Sequence, residues 1–236
     1  MVGAEDAFGT LPGSAPSDPG PRDGRACGGP RTGKAITPDV MGRSPLPEAS
    51  LDRLRKFLLP VELAEAELKA KPAAAVTVLL RERQGGFDLL LGVRRKREGD
   101  PWSGQIGLPG GRHRVEDGSL LATAIRETRE EVGVDLERDA EVLGHMPPRA
   151  PGNKPELLVV PFVGLLHTSV AAVSSPEMEE IFWVPLADLL PTQGKAQVTT
   201  ILGELTVPAF LYGERLIWGF TYRILEELLV MVGLSA

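Results

Sequence analysis

From residue 73 onward, runs of apolar residues alternate with short polar or glycine-rich segments, a pattern typical of consecutive β-strands. Residues 73–81 and 87–93 are two such runs. A Gln-Gly-Gly sequence at 84–86 separates them, so we predict that they form a β-hairpin. The further predicted elements are strands over 140–147 and 156–166, and an amphipathic helix over 217–233.

Residues 1–47 are rich in Gly, Pro and Ser and contain few large apolar side chains. Such a segment buries too little apolar surface to offset the entropy of ordering it, so we expect a disordered extension. Apolar residues then recur at helical spacing from Ser50 until Pro60, which ends the helix, and a second helix is predicted to run to about Lys69. The predicted organisation is an extension over 1–47, a helical lead-in over 48–70 and one domain over 71–236.

The most prominent helix is predicted within residues 110–134, which read GGRHRVEDGSLLATAIRETREEVGV. Ser119 or Asp117 can cap its start, and Gly133 stands where helices commonly end. Four residues at three- and four-residue steps are predicted to share one face of this helix: Leu121, Ile125, Thr128 and Val132.

Three carboxylates, Glu127, Glu130 and Glu131, project from neighbouring positions near the C-terminal end of this helix. The arrangement is unfavourable because a helix C-terminus carries partial negative charge and like charges at this spacing repel each other. A divalent cation held between the carboxylates would relieve the repulsion. Since the candidate ligands are oxygen atoms, the sequence favours Mg²⁺, with Mn²⁺ as a substitute, over Zn²⁺. The alternative is a solvated acidic face with Arg126 and Arg129 as counterions.

Residues 126–134, RETREEVGV, resemble the core of the Nudix hydrolase box, which reads Arg-Glu-apolar-any-Glu-Glu-any-Gly-apolar. Thr128 departs from this pattern at the first apolar position. The strict spacing of the full box, which begins with a Gly and a Glu further upstream, is not met. Moving the front half by one residue restores Gly111 and, after five residues, the acidic Asp117, with one extra residue before Arg126.

The LPGG segment ahead of the box and the ATAIRE segment within it resemble the coenzyme A pyrophosphatase branch of the Nudix family. That branch usually carries an Asp where this chain has Arg114. Glu116 or Asp117 must therefore supply the acid of the loop, if one is needed.

The resemblance implies an α/β fold, the Nudix-type α/β/α sandwich with a mixed sheet between helices. It also implies Mg²⁺-dependent hydrolysis of a diphosphate bond. Coenzyme A, cut to phosphopantetheine and 3′,5′-ADP, is the leading substrate, and ADP-ribose or another nucleoside diphosphate derivative is the alternative. The alternative outside the enzymes is a catalytically silent module that binds a ligand or has a regulatory function. Three mutually repelling acids argue against this alternative.

The resemblance further implies roles for individual residues. Arg126 would orient Glu127 or Glu130 through a charged hydrogen bond. Glu177 stands where the branch often carries a further catalytic acid, and the alternative is a solvated loop acid. The implied metal ligands are the carboxylates of Glu127, Glu130 and Glu131 and the backbone carbonyl of Gly111. The three glutamates are also implied to be catalytic.

A basic run, Arg94-Arg95-Lys96-Arg97, follows the second strand and leads toward the glycine-rich loop. It is either a solvated strand end or a phosphate-binding segment at the mouth of the site. Because side chains alternate along a strand, we expect about two of the four to face the site. Arg94, Arg95 and Arg97 are the candidate substrate-binding residues, together with Gly110, whose lack of a side chain allows close backbone approach.

The chain has 236 residues and a formal net charge of −6, which argues against a general nucleic-acid binder. Cys27 is its one cysteine, and no apolar run approaches the roughly 18 residues that span a bilayer. The N-terminus lacks the layout of a signal peptide, so we expect a cytoplasmic protein that binds a small molecule rather than a membrane. The oligomeric state stays open, with a homodimer among the alternatives. His113, His145 and His167 share no metal-ligand spacing, so we interpret each as structural or exposed.

Overall fold

The predicted β-hairpin is present and lies at the centre of the main sheet. Its strands, β1 (Ala73–Arg83) and β2 (Gly86–Arg94), pair antiparallel with Leu80 opposite Leu89. Gly85, in the turn, has a φ of 87°, which a residue with a side chain rarely adopts. The computed structural model describes residues 47–69, 72–96, 103–167, 170–200 and 203–234, so the expectations for residues 1–46 and for Arg97 lie outside the described residues.

Within the described residues, seven strands form one mixed sheet. Besides β1 and β2, its strands are β3 (Ile106–Gly107), β4 (Gly110–Arg112), β5 (Ala140–His145), β6 (Leu158–Leu166) and β7 (Met178–Pro185). β1 pairs parallel with β6 and antiparallel with β2 and β4, while β2 also pairs with β3 and β7, and β5 pairs with β6 at its other edge.

Both faces of this sheet are buried. Successive side chains of β1 point to opposite faces, and residues on each face belong to a hydrophobic cluster. Val78 and Leu80 belong to one hydrophobic cluster with Leu225, whereas Leu79 belongs to another with Ala124. Helices therefore cover both faces, and the predicted α/β/α sandwich is confirmed. The helices are α1 (Pro47–Phe57), α2 (Leu120–Val132), α3 (Leu136–Asp139), α4 (Leu186–Leu189) and α5 (Gly219–Met231).

A second sheet of three strands follows α4, and the sequence pattern did not predict it. Its first strand, β8 (Gln193–Thr200), reads QGKAQVTT and is too polar and exposed to stand out, and part of its last strand falls within the predicted final helix. Phe210 and Ile217 are fully buried in the same cluster as α5, so the sheet is anchored to the domain. It consists of β8 (Gln193–Thr200), β9 (Gly203–Tyr212) and β10 (Arg215–Trp218), in the order β10-β9-β8. Because β10 includes 217 and 218, the last helix begins two residues later than predicted.

The N-terminal helical segment packs on the domain. Leu54 of α1 and Ala64 of the following 3₁₀ helix, Val61–Lys69, are fully buried, each in one of the two clusters. Between these helices, Leu59 exchanges two backbone hydrogen bonds of 2.9 Å with His145 of β5. The second predicted helix is therefore present, as a 3₁₀ rather than an α-helix. None of the helices in the described part of the chain is long and apolar enough to cross a membrane.

Candidate active site

Helix α2 has well-defined ends. The Ser119 Oγ accepts a hydrogen bond from the Ala122 N–H at 2.9 Å, so Ser119 rather than Asp117 is the cap. Gly133 ends the helix with a φ of 71° and donates its N–H to the Arg129 carbonyl. The segment after β6 covers this end, because the Ser175 N–H donates to the carbonyl of Glu131 at 3.0 Å.

The predicted apolar face of α2 is shifted. Leu121 and Ile125 are only half-buried, although both pack against the cluster that contains Val132, so they lie toward the edge of the buried face. The reason is that two of the three carboxylates turn toward the sheet and take up part of the buried face. The buried residues of the helix are Leu120, Thr123, Ala124, Glu127, Thr128, Glu131 and Val132.

The LPGG segment lies in a gap between β1 and β2. These strands pair near their turn, but further on β4 pairs with β1 opposite Ala74, Ala75 and Val76, while β3 pairs with Gly92 and Val93 of β2. A Cβ on the glycine at position 110 would overlap the backbone of β1, so no larger residue fits there. The loop is consequently held tightly beside α2.

Glu131 is 2% exposed and receives the Gly110 N–H on its Oε2 at 2.8 Å. The Arg94 guanidinium lies 3.4 Å from its Oε1. Burial raises the pKa of Glu131 to about 7, and the nearby charges of Glu127 and Glu177 act in the same direction, whereas Gly110 and Arg94 oppose the shift. The N–H of Gly110 is thus directed to the carboxylate of Glu131, and the binding of substrate by Gly110 stays a prediction.

Glu127 lies against the second glycine of the loop. A Cβ added to Gly111 would overlap the Glu127 carboxylate, so the absence of that atom gives the side chain its space. Glu127 is 8% exposed, and its Oε1 accepts a hydrogen bond from Arg126 Nη1 at 2.7 Å. Glu130, by contrast, is half exposed and receives the same Nη1 at 3.1 Å. The structure thus contains both of the hydrogen bonds that were alternatives for Arg126.

Asp117 fixes the other side of the Arg126 guanidinium. Its Oδ1 accepts from Nε at 2.7 Å and its Oδ2 from Nη2 at 3.0 Å, a two-point contact that resists rotation of the guanidinium. These hydrogen bonds hold the pKa of Asp117 well below, and that of Arg126 well above, their ordinary values. Glu116 is exposed, so Asp117 is the acid of the loop that contacts the site.

The basic run divides between the site and solvent. Arg94 follows a bulge at Val93 in the pairing with β7 and reaches Glu131, whereas Arg95 and Lys96 are exposed. The Arg95 N–H donates to the carbonyl of Glu177, which is itself exposed. Glu177 is close enough to Glu131 to influence its pKa.

A sequence model of the NUDIX domain family matches residues 71–202, more than half of the chain. The chain is a Nudix hydrolase. The resemblance of residues 126–134 to the box of this family is thereby confirmed.

Curated relatives of this Nudix hydrolase include two coenzyme A diphosphatases. The mitochondrial coenzyme A diphosphatase NUDT8 of Homo sapiens is 36% identical over 168 residues, which cover 69% of this chain and 71% of that protein. The Mus musculus protein of the same name is 33% identical over 166 residues, 68% of this chain and 79% of that one. The uncharacterized Nudix hydrolase NudL of Photorhabdus laumondii is 34% identical over 142 residues, 59% and 74% of the two chains.

Among solved structures, the NUDIX domain of Shewanella oneidensis NrtR, complexed with ADP ribose, is similar to this Nudix hydrolase at 25% identity. The match covers 52% of this chain and 78% of that one, with a TM-score of 0.41.

Nudix hydrolases generally use a divalent metal ion. No three of the described His, Cys, Asp and Glu side chains of this Nudix hydrolase are placed to hold a metal ion together. Arg126 contacts both Glu127 and Glu130, and Glu131 is held by the loop. The donors are nevertheless carboxylate oxygens beside a glycine backbone, which suits a hard cation such as Mg²⁺. The ligand set of Glu127, Glu130, Glu131 and Gly111 stays a prediction.

Sequence reasoning missed the partner of Thr128, the residue that departs from the family pattern. Its hydroxyl forms a hydrogen bond of 2.7 Å with the hydroxyl of Thr77 in β1, and both residues are fully buried. The Thr77 N–H also donates to the carbonyl of Pro109 at 2.8 Å. Thr77 therefore ties α2 and the LPGG segment of this Nudix hydrolase to the same strand. The available signal was Thr128 itself, a polar residue at an apolar position of the box. A buried hydroxyl group needs a hydrogen-bond partner, so a polar residue elsewhere in the fold could have been expected to contact it.

Proposed function

We propose that this Nudix hydrolase cleaves the diphosphate bond of coenzyme A or its derivatives and releases phosphopantetheine and 3′,5′-ADP. One observation carries the choice of substrate, namely the identity of 36% and 33% to two coenzyme A diphosphatases over about 70% of the chain. The arrangement of the site supports hydrolysis of a diphosphate but does not by itself select coenzyme A.

The proposed ligands of the metal ion are Glu127, Glu130 and Glu131, with the carbonyl of Gly111. Mg²⁺, or Mn²⁺ in its place, would neutralise charge on the diphosphate oxygens and lower the pKa of a bound water. Gly110 holds Glu131 in place, and Arg94 adds a positive charge beside it. An anionic diphosphate is attracted by such a charge, so we assign Arg94 to the binding of the reacting group.

In the proposed reaction, a water oxygen forms a bond to one of the two phosphorus atoms. The bond from that phosphorus to the bridging oxygen breaks, and the bridging oxygen leaves on the other phosphate. A proton of the water is lost to solvent or to a basic group of the site. Arg126 takes no part in bond formation, because its guanidinium is occupied by Asp117, Glu127 and Glu130. Its proposed role is to position the two glutamates.

The test is a substrate panel of coenzyme A, dephospho-coenzyme A and ADP-ribose, each with Mg²⁺ and with a chelator. We expect Mg²⁺-dependent release of 3′,5′-ADP from coenzyme A at the highest kcat/KM of the panel. Products formed in ¹⁸O-water and analysed by mass spectrometry identify the phosphorus that is attacked. A higher kcat/KM for ADP-ribose than for coenzyme A would overturn the substrate assignment while leaving the hydrolase assignment intact.

A matched pair of variants distinguishes this site from a contaminating activity. Glu131→Gln removes a proposed ligand, whereas Glu179→Gln makes the same chemical change at an exposed position of β7. Loss of product with the first variant and retention with the second would assign the activity to this site. Binding of coenzyme A without turnover of any substrate would instead favour the silent binding module.

A further inference from the structure

His113 directly follows β4, and its Nδ1 approaches the hydroxyl of Thr123 and, at 3.9 Å, Oδ2 of Asp117. Its Nδ1 is 2.9 Å from the Oγ1 of Thr123, a buried residue in the first turns of α2. The same Oγ1 is 2.8 Å from Asp117 Oδ2 and 3.1 Å from the carbonyl of Ser119. One hydroxyl thus has three polar neighbours, and its single proton can be donated to only one of them.

The chemistry of these neighbours fixes the direction of the hydrogen bonds. The Ser119 carbonyl accepts only, and so does the Asp117 carboxylate, because the low pKa of Asp117 keeps it ionised. The Thr123 hydroxyl must therefore donate to one of these two. Its lone pair is then left to accept from His113, which requires a proton on Nδ1.

The hydrogen bonds continue from Asp117 to the glutamates. Oδ2 of Asp117 receives both Thr123 and Arg126 Nη2, and Arg126 in turn contacts Glu127 and Glu130. Without the donor on His113, the Thr123 hydroxyl has less to hold it toward Asp117 and can turn to the Ser119 carbonyl, which it already approaches.

We propose that His113 is a positioning residue: its Nδ1–H holds the Thr123 hydroxyl against Asp117, and Asp117 in turn holds Arg126 against the catalytic glutamates. The inference rests on the hydrolase site of the proposed function but not on the identity of the substrate. The Nδ1 of His113 lies 2.9 Å from Thr123 Oγ1 but 3.9 Å from Asp117 Oδ2, which is beyond hydrogen-bond distance, so we assign its effect to the contact with Thr123.

The first test measures the tautomer of His113 in the metal-free protein. Long-range ¹H–¹⁵N correlation spectra of the imidazole, recorded near pH 8 for the full chain, distinguish a protonated Nδ1 from a protonated Nε2. We expect the Nδ1–H tautomer for His113, with the spectrum of His113→Leu used to assign the signals. A bare Nδ1 with the proton on Nε2 would overturn the proposal, whatever the substrate of the enzyme is.

The second test compares variants that keep or remove the donor. Asn places an amide N–H near the position of Nδ1, whereas Leu fills the space without a donor. We expect His113→Leu to lower kcat about tenfold, with little change in KM, on whichever panel substrate is turned over best. The ¹⁵N resonance of Arg126 Nε should shift in the same variant. His113→Asn should restore both readouts, and His167→Ala, an exposed control, should change neither.

Thr123 provides the cross-check. Thr123→Val should reproduce the loss seen with His113→Leu, and the double variant should be no worse than Thr123→Val alone, because both changes break the same connection. Additive losses would show that His113 acts by another route and would overturn the proposal. So would an Arg126 Nε resonance that is the same in His113→Leu as in the wild type. The resonance test still applies if none of the panel substrates is hydrolysed.

Discussion

The two ends of helix α2 are built on opposite principles. At the N-terminal end, the Ser119 side chain caps Ala122, and the Glu65 carboxylate from the neighbouring 3₁₀ helix accepts the Leu120 N–H at 2.9 Å. Negative charge is favourable there because it complements the partial positive charge of the helix end. The last turns instead carry Glu127, Glu130 and Glu131, where the same charge is unfavourable.

The difference separates the cap of the helix, which stabilises the fold, from the carboxylates that we propose to act in hydrolysis. The first turn collects contacts that lower the free energy of the folded state. The last turns place carboxylates where burial and mutual repulsion raise it, as the raised pKa of Glu131 indicates. Changes at the two ends should therefore separate activity from stability.

The largest expected effect is on turnover at the C-terminal end. Glu131→Gln keeps the shape of the side chain but removes the charge, so kcat should fall by roughly 10² to 10³. Steady-state kinetics with Mg²⁺ measure the loss, and circular dichroism of the same sample establishes that the variant is folded. Turnover at the wild-type rate would remove Glu131 from the proposed ligands.

The same variant should gain stability in the absence of metal. Because the pKa of Glu131 in the folded protein is raised from 4.5 to about 7, the folded state binds the proton more tightly than the unfolded state. This contribution is fully present below pH 4.5 and is lost as pH rises through about 7. By pH 8 the ionised carboxylate should cost about 3 kcal/mol, which Gln avoids.

Urea unfolding in chelator at pH 5 and pH 8 tests whether the ionisation of Glu131 lowers the unfolding free energy of the wild type. The difference in unfolding free energy between Glu131→Gln and the wild type should be small at pH 5 and should grow toward pH 8. A difference that shrinks as pH rises would contradict the idea that the last turns of α2 are destabilised by ionisation of this residue.

Arg94 should matter for the reacting diphosphate. A charged contact to a phosphate contributes about 1.5–3 kcal/mol, so Arg94→Gln should lower kcat/KM roughly ten- to a hundredfold. Since Arg94 lies beside Glu131, the loss should be equal for coenzyme A and dephospho-coenzyme A. Arg95→Gln, at an exposed position, is the matched control and should have the smaller effect. A loss confined to coenzyme A would assign Arg94 to the 3′-phosphate instead.

The smallest expected effect is at the N-terminal end. Ser119→Ala removes the cap and should lower the unfolding free energy by about 1 kcal/mol while kcat stays unchanged. Thermal unfolding and steady-state kinetics on the same preparation measure both. A clear fall in kcat would mean that the Ser119 cap, and not only the Thr123 hydroxyl, sets the geometry of the glutamates.

The sequence predicted those features of the site that depend on local spacing. The end of α2 at Gly133, the two candidate caps Ser119 and Asp117, and the grouping of three glutamates follow from positions a few residues apart. The strands of the hairpin follow from apolar runs on either side of a turn. Each of these could be found without knowing what lies across the fold.

Features that depend on distant contacts could not be predicted in this way. The partner of Thr128 lies 51 residues earlier in the chain, and the bulge that directs Arg94 inward depends on the pairing of β2 with β7. The choice between Glu116 and Asp117 required the position of Arg126. The second sheet was missed because β8 is polar, because β9 contains Pro208, which disfavours a strand interior, and because part of β10 was assigned to the last helix.

The hydrophobic core of the domain extends beyond the stretch that the family model matches, on both its N-terminal and its C-terminal side. The stretch matched by the family model ends at residue 202, yet Ile217 and Leu225 are fully buried beyond it, as is Leu54 before its start at 71. A gene fragment cut at those two boundaries would keep the catalytic box and lose part of both cores. Such a fragment should misfold when expressed alone. Recombination could therefore transfer a folded form of this enzyme only together with the segments before residue 71 and after residue 202, which lie outside the family match.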